Sequence, residues 1–170
     1  MAITVGTDTY ISVTDATTYV AENYLTTDTI YTTWASLSST QKEIYLRRAT
    51  KKIDRQPLVG VKSVSTQTLQ FPRAILTQYA REDVPLLNIW LDTDWVVETT
   101  VSQKVKDAQV EEAVAMAITP PKRLDLQRQG VKSFSLGNLS ESYTVNYNDF
   151  YSYEAKQLLR YYLAGSVRIC

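Results

Sequence analysis

The 170-residue chain contains no histidine and one cysteine, Cys170. Without histidine, neither a Ser-His-Asp triad nor a Cys-His pair can form, and zinc sites that use imidazole are excluded. A single thiol forms no intrachain disulfide, and it cannot by itself hold a thiolate zinc ion or an iron–sulfur cluster. These absences remove the enzyme classes that depend on histidine or on clustered thiolates.

Long apolar runs are also missing. No stretch approaches the roughly 20 apolar residues of a membrane span, and the first residues lack the basic and apolar blocks of a signal peptide. With 44% hydrophobic and 21% charged residues, the composition is that of a globular domain. We therefore predict a single domain over residues 1–170 that is made in the cytoplasm and has no membrane partner.

The zero net charge conceals a strong segregation of sign. Between residues 42 and 73, eight basic residues stand against two acidic ones, and between 82 and 112 these numbers are reversed. Such patches can pair within one chain or between copies arranged head to tail. In the acidic region, Glu111 and Glu112 are the residues that we expect at such an interface.

Hydrophobic periodicity predicts a mainly α fold, a small bundle of about four helices with a projecting β-hairpin. The predicted helices cover about 13–24, 38–54, 103–118 and 152–164. The hairpin covers about 130–147, because Gly137-Asn138 lies between two alternating segments.

The remaining segments carry weaker patterns. Residues 26–33 and 61–81 are predicted to be connections, with an extended piece at 67–73. The apolar segment 84–102 is consistent with a short helix followed by a strand.

The second predicted helix has an apolar face and a basic face. The basic residues recur at spacings of three and four: Arg47, Arg48, Lys51, Lys52 and Arg55. Such a face is commonly solvated surface, but it can also pair with an acidic protein surface or contact nucleic-acid phosphates. Single-strand binders interleave basic and stacking aromatic residues. Only Tyr45 is aromatic here, so contact with protein is favoured.

Other candidate interface residues are apolar or aromatic. The chain has 12 tyrosines, which supply amphipathic contact area at interfaces. Trp90 and Trp95 suit a core as well as an interface, and Phe134 and Leu136 lie in the predicted hairpin. The C-terminal helix and tail, 152–170, either close the bundle or reach a partner. The residues assigned to that contact are Tyr161, Tyr162 and Arg168.

Two further features are predicted to serve packing. Trp34 is an apolar anchor ahead of the second helix. In the tripeptide Phe71-Pro72-Arg73, we expect Phe71 to be buried against the helices and Arg73 to pair with a carboxylate; packing is favoured over recognition.

Paired carboxylates are the remaining possibility for catalysis. Metal and glycosidase sites need two or more acids that converge on one point. The spacing of Asp92 and Asp94, or of Glu111 and Glu112, does not by itself bring the groups together. We therefore predict no catalytic residue, no metal site and no cofactor.

Several of these residues occur in an order that resembles one family of proteins. Matching residues run from Tyr10-Ile11-Ser12-Val13 to Leu158-Leu159, and the most specific are Ala49-Thr50, Ile53-Asp54, Gly60, Gln67 and Phe71-Pro72-Arg73. The order resembles the head–tail connector (adaptor, or head-completion) proteins of long-tailed bacteriophages, some of which carry the label DnaT-like single-stranded-DNA-binding protein. The segment 86–102 departs from the family pattern and suggests a lineage-specific interface.

The resemblance implies a structural role in the neck of the virion. Such connectors form a ring, usually of twelve copies, under the portal protein, and their C-terminal region engages the portal. They extend a channel through which double-stranded DNA passes without sequence-specific binding, and they provide the docking surface for a stopper or tail protein. The alternative function is a single-stranded-DNA-binding accessory protein, in which Arg47, Arg48, Lys51 and Lys52 would contact phosphates.

Overall fold

The computed structural model describes residues 2–76, 95–118, 133–136, 139–142 and 150–164. In these residues the chain forms five helices and two small antiparallel sheets. The helices are α1 (Val13–Asn23), α2 (Thr29–Ser36), α3 (Ser39–Asp54), α4 (Gln103–Ile118) and α5 (Tyr153–Leu159). The strands are β1 (Val61–Lys62), β2 (Arg73–Leu76), β3 (Trp95–Val97), β4 (Ser133–Leu136) and β5 (Leu139–Ser142).

Three helices begin at a serine cap. The side chain of Ser12 accepts a hydrogen bond from the backbone N–H of Asp15, and Ser152 does the same for Ala155. Ser38 and Gln41 form a full capping box at the start of α3. Each cap satisfies a backbone donor that would otherwise have no partner. The four helices predicted from periodicity are therefore present, although α5 is shorter than predicted.

The additional helix is α2, which lies where the sequence suggested a polar connection. Its buried residue is Trp34, which is 1% exposed and donates a hydrogen bond from Nε1 to Thr17 Oγ1 at 3.3 Å. Threonine has a low helix propensity, and the threonines of this segment are the reason why the sequence did not predict a helix here. Burial of the tryptophan against α1 and α4 outweighs that preference.

The second difference is a three-stranded antiparallel sheet with the order β1-β2-β3. Ala74 of β2 pairs with Val61 on one side and with Val97 on the other. The sequence suggested a loop or extended piece for β1 and β2, while β3 falls where a strand was predicted. Gly60, with φ +75°, precedes β1, and a Cβ there would lie 2.2 Å from the carbonyl oxygen of Ala74. Glycine is required at this turn.

The helix α4 lies at the centre of the described fold. One core cluster packs α4 against α1, α2 and the first half of α3, around Trp34, Leu46 and Val110. The other packs it against α5, the sheet and the end of α3, around Phe71 and Leu159. Because α4 is covered on nearly every side, it brings polar side chains into the interior as well as apolar ones.

The hairpin pairs β4 with β5 in antiparallel register, with Leu136 opposite Leu139. The predicted turn residues, Gly137 and Asn138, lie outside the described residues. The mainly α fold with a β-hairpin agrees with the prediction, whereas the ring remains a prediction. None of the helices that the structure describes is long and apolar enough to cross a membrane.

Candidate nucleic-acid interface

The outward face of α3 carries a row of exposed residues. Arg48, Lys51 and Arg55 are exposed at spacings of three and four, so they follow one side of the helix. The opposite side is buried and consists of Leu46, Ala49, Thr50 and Ile53. We call the three exposed residues Arg48, Lys51 and Arg55 the cationic line.

The cationic line is not neutralised by acidic side chains in the part of the chain that the structure describes. The ion pair within 4.0 Å there joins Lys52 to Glu112 and involves none of the three residues. The Arg48 guanidinium lies 6.0 Å from the centre of the Tyr45 ring. Within the described residues, these three charges therefore have no carboxylate at ion-pair distance.

The other two basic residues predicted on this face point elsewhere. Arg47 donates from Nη2 to the backbone oxygen of Ala2 at 3.1 Å. Lys52 Nζ lies 2.9 Å from Glu112 Oε1 and 3.6 Å from the centre of the Tyr151 ring, and its side chain is 18% exposed. Of the five basic residues that the sequence grouped together, three therefore form a surface and two hold the fold.

Glu111 and Glu112 lie inside the chain rather than at an interface with another copy. Glu111 accepts hydrogen bonds from the hydroxyls of Tyr19 and Tyr24, at 2.9 and 2.5 Å. Burial, together with this carboxylate, raises the pKa of both tyrosines. Glu112 is 0% exposed, and besides Lys52 it accepts from the backbone N–H groups of Tyr151 and Ser152. Neither carboxylate is left over for a second subunit.

Gln109 completes a set of three buried polar residues on α4, and the sequence analysis missed it. Its Oε1 accepts from the backbone N–H of Tyr10 at 2.9 Å, and its Nε2 donates to Leu46 O and Thr50 Oγ1 at 3.1 and 2.9 Å. The available signal was a glutamine between two apolar residues, Ala108 and Val110. We call Gln109, Glu111 and Glu112 the buried polar framework, because their partners lie on α1, on α3 and before α5.

The tripeptide Phe71-Pro72-Arg73 lies in the interior. The Phe71 ring packs edge-on between the rings of Tyr10 and Tyr162, with centroid distances of 5.6 and 4.8 Å. The peptide bond between Phe71 and Pro72 is cis. Sequence reasoning favoured packing over recognition for this motif, and the structure places it in the core.

Arg73 differs from prediction in its partners. Its guanidinium donates to the carbonyl oxygens of Val59 and Gly60, at 2.8 and 2.7 Å, and to the side chain of Gln70. Burial lowers its pKa. The nearby carboxylate of Glu98 instead accepts from the Arg73 backbone N–H at 3.1 Å. Carbonyl groups of the segment that follows α3 therefore take the place of the carboxylate that the sequence predicted as the partner of the Arg73 guanidinium.

The two candidate tyrosines of the C-terminal segment, Tyr161 and Tyr162, have different surroundings. Tyr162 is buried, and its hydroxyl donates to Glu98 Oε1 at 2.6 Å. Tyr161 is half-buried, with Lys104 and Arg160 beside its ring at 5.0 and 5.8 Å. Tyr162 is therefore a core residue, while Tyr161 lies in a second place where cations adjoin an aromatic ring.

Trp95 is 49% exposed on β3, next to the exposed Val96 and Val97. Among the described strands, β3 is an edge, because β2 is its one neighbour. Acidic residues flank it in sequence, Asp94 before and Glu98 after, so this surface is poorly suited to a polyanion. Phe134 and Leu136 lie in β4, opposite Glu141 and Leu139. Trp90 and Arg168 lie outside the described residues.

Comparison with known proteins corrects the family assignment. One family model matches residues 2–169, and its description reads "Putative DnaT-like ssDNA binding protein". No curated protein and no solved structure matches the chain. The assignment to the head–tail connector family is therefore wrong, because the family that matches nearly the whole chain is a different one. The twelve-copy ring, the portal and stopper partners and the location in a virion came from that resemblance, and they remain untested predictions.

The absence of catalysis is likewise a prediction that no finding tests.

The family match extends over both core clusters, the sheet, the hairpin and all of α3. A match of this extent decides the family. The chain belongs to the family described as "Putative DnaT-like ssDNA binding protein".

Proposed function

We propose that this protein binds single-stranded DNA through the cationic line of α3. The observation that carries the proposal is the exposure of Arg48, Lys51 and Arg55 on one side of a helix, with no carboxylate within ion-pair distance in the described residues. Lysine and arginine side chains bind the phosphate backbone, and this attraction supplies the sequence-independent part of DNA affinity. Membership of the family supports this choice of ligand.

The dimensions of the cationic line suit a short piece of one strand. Arg48 and Arg55 are seven residues apart, which corresponds to about 10 Å along an α-helix. Phosphates in one strand of a duplex advance about 3.4 Å per nucleotide. At that spacing, a length of about 10 Å covers roughly three nucleotide steps, so each of the three cations can contact a phosphate of its own.

The net charge of the whole chain bears on the range and the salt dependence of DNA binding. Its net charge is zero, so there is no long-range attraction for a polyanion. Binding must come from local contacts, and we expect it to be non-specific and strongly weakened by salt. These properties suit an accessory protein that covers a strand and is readily released.

Titration of the full chain with a fluorescently labelled 20-nucleotide oligo(dT), followed by anisotropy over a range of salt concentrations, tests the proposal. For single strands, the slope of log affinity against log salt is roughly −0.7 per phosphate contact. The three contacts of the cationic line predict a slope of about −2. In the variant R48Q/K51Q/R55Q, we expect weak binding and a slope close to zero.

A matched control separates the cationic line from general loss of charge. K51Q/R55Q removes one lysine from α3 and one arginine from its C-cap. K104Q/R160Q removes the same two residue types from the surface beside Tyr161. The proposal requires the first variant to lose affinity and the second to retain it. The opposite result would move the site to Tyr161, and no binding by the unmodified protein would overturn the function itself.

A further inference from the structure

Two side chains next to the cationic line are unusual for a charged helix face. Ile44 is 46% exposed, one turn before Arg48. Tyr45 is half-buried and packs with one side against the core cluster around Trp34. The Arg48 guanidinium lies 6.0 Å from the Tyr45 ring centre, so a flat cation and an aromatic ring are neighbours on the surface.

Such a pair fits a nucleobase. Unpaired bases stack on aromatic rings and on guanidinium planes, and this contact tolerates any sequence because every base has a π face. Bases in a duplex are already stacked between their neighbours, so the same contact would require one of them to be extracted. An aromatic ring beside phosphate-binding cations therefore favours a single strand over a duplex.

We infer that Tyr45 and Arg48 take up an unpaired base of the strand whose phosphates Lys51 and Arg55 bind. The inference rests on the proposed function and adds to it the group that makes α3 selective for single-stranded DNA. Spacing supports it, because Tyr45 and Arg48 are three residues apart and lie on adjacent positions of the helix surface. Ile44, at the end of the same row, extends the apolar contact to the base.

The larger exposed aromatic residue, Trp95, is a weaker candidate for this role. It lies on β3 between Asp94 and Glu98 in sequence, and acidic neighbours repel the phosphates on either side of a base. Tyr45, in contrast, precedes four basic residues on its own helix, against one acidic residue nearby in sequence, Glu43, two positions before it. The charge around the two rings therefore decides in favour of Tyr45.

The test compares oligo(dT) with a 20-base-pair duplex as ligands for the unmodified protein, Y45L and Y45F. Leucine keeps an apolar side chain against the core but removes the ring, whereas phenylalanine keeps the ring. We expect Y45L to lose roughly 5- to 150-fold in affinity for the single strand, the range found for stacking one base. Its duplex affinity and its salt slope should remain unchanged, and Y45F should bind like the unmodified protein.

The outcomes distinguish the inference from the function on which it rests. If Y45L binds oligo(dT) normally while R48Q/K51Q/R55Q does not, the stacking role is overturned and the proposed function stands. If the unmodified protein binds neither ligand, both are overturned.

Photocrosslinking of the unmodified protein provides a measurement that needs no variant. An oligonucleotide containing 5-iododeoxyuridine should crosslink to Tyr45, and mass spectrometry of the digested product would locate the bond. Crosslinks confined to other residues, such as Trp95 or Tyr161, would overturn the inference even if Y45L proved too unstable to study.

Discussion

Lys51 and Lys52 are adjacent residues of the same type with opposite surroundings. Lys51 is exposed on the cationic line. Lys52 is 18% exposed and is held between the Glu112 carboxylate and the Tyr151 ring. Lys51 therefore belongs to the surface that we propose binds DNA, whereas Lys52 contacts Glu112 of the buried polar framework. A count of basic residues cannot separate them, because the difference lies in which element covers each position of α3.

The two regions should respond differently to substitution. Changes in the buried polar framework should lower the free energy of unfolding and leave the DNA affinity of the folded protein intact. Changes in the cationic line should do the reverse. A variant that breaks this division would show that the two regions are coupled.

The largest effect is expected for E112Q. The change leaves the Lys52 ammonium without its carboxylate in a nearly enclosed site, and it weakens the acceptor for the backbone N–H groups before α5. Removal of one partner from a buried ion pair typically costs about 3–5 kcal/mol. Urea unfolding should show this loss. D107N is the control, because it also removes one carboxylate from α4 but from a side chain bonded at the surface to Gln103, and it should cost less than about 1 kcal/mol.

Q109M should have the next largest effect. Methionine fills a similar space, but it leaves the Tyr10 N–H without an acceptor and removes the amide donor to Thr50 Oγ1, while Leu46 O keeps the Thr50 hydroxyl as a donor. One buried polar group without a partner costs about 1–3 kcal/mol, so we expect a total loss of about 2–3 kcal/mol. A loss below 1 kcal/mol in urea unfolding would mean that these groups find other hydrogen-bond partners. Gln109 would then not be required to satisfy them.

The sequence predicted those features that depend on local pattern. Periodicity and serine caps located four helices, and Gly137-Asn138 located the hairpin. The signals that failed involve long-range contacts: Gln109 reaches Tyr10 across 99 positions, and β2 pairs with β3 across a segment of more than 15 residues. Periodicity placed Glu111 and Glu112 on a helix, but it could not show that α4 is enclosed on several sides. For the same reason, the five basic residues of α3 were predicted as one group.

Alkaline conditions should weaken the protein through its buried tyrosines. Tyr10 donates its hydroxyl to Asp54 and Tyr162 donates to Glu98, and burial raises the pKa of both above the ordinary value of 10.0. In the unfolded chain, both would ionise near pH 10, while the folded chain keeps their protons. The contribution to stability is therefore complete below pH 10 and declines as the pH rises further, by about 1.4 kcal/mol per pH unit for each group.

Urea unfolding at pH 9, 10 and 11 measures this decline. Y162F removes one tyrosine with a raised pKa and leaves Tyr10, Tyr19 and Tyr24. The free energy of unfolding should therefore fall less steeply with pH in this variant, although it starts from a lower value because the bond to Glu98 is lost. An unchanged slope would mean that Tyr162 ionises in the folded protein as readily as in the unfolded chain. The cationic-line variant should fall as steeply as the unmodified protein, since none of the three altered residues is among the groups that shift the pKa of Tyr10 or Tyr162.

The smallest effect on stability, and the sharpest on binding, is expected for R48Q/K51Q/R55Q. None of the three residues has an ion-pair partner in the described chain, and the Arg48 guanidinium lies 6.0 Å from the centre of the Tyr45 ring at the edge of the core. Exposed substitutions of this kind usually change stability by less than about 0.5 kcal/mol. Urea unfolding and oligo(dT) titration of the same preparation measure both properties. If this variant unfolds more easily by 2 kcal/mol or more, the three cations hold the fold as Lys52 does, and the loss of binding would no longer identify a DNA surface.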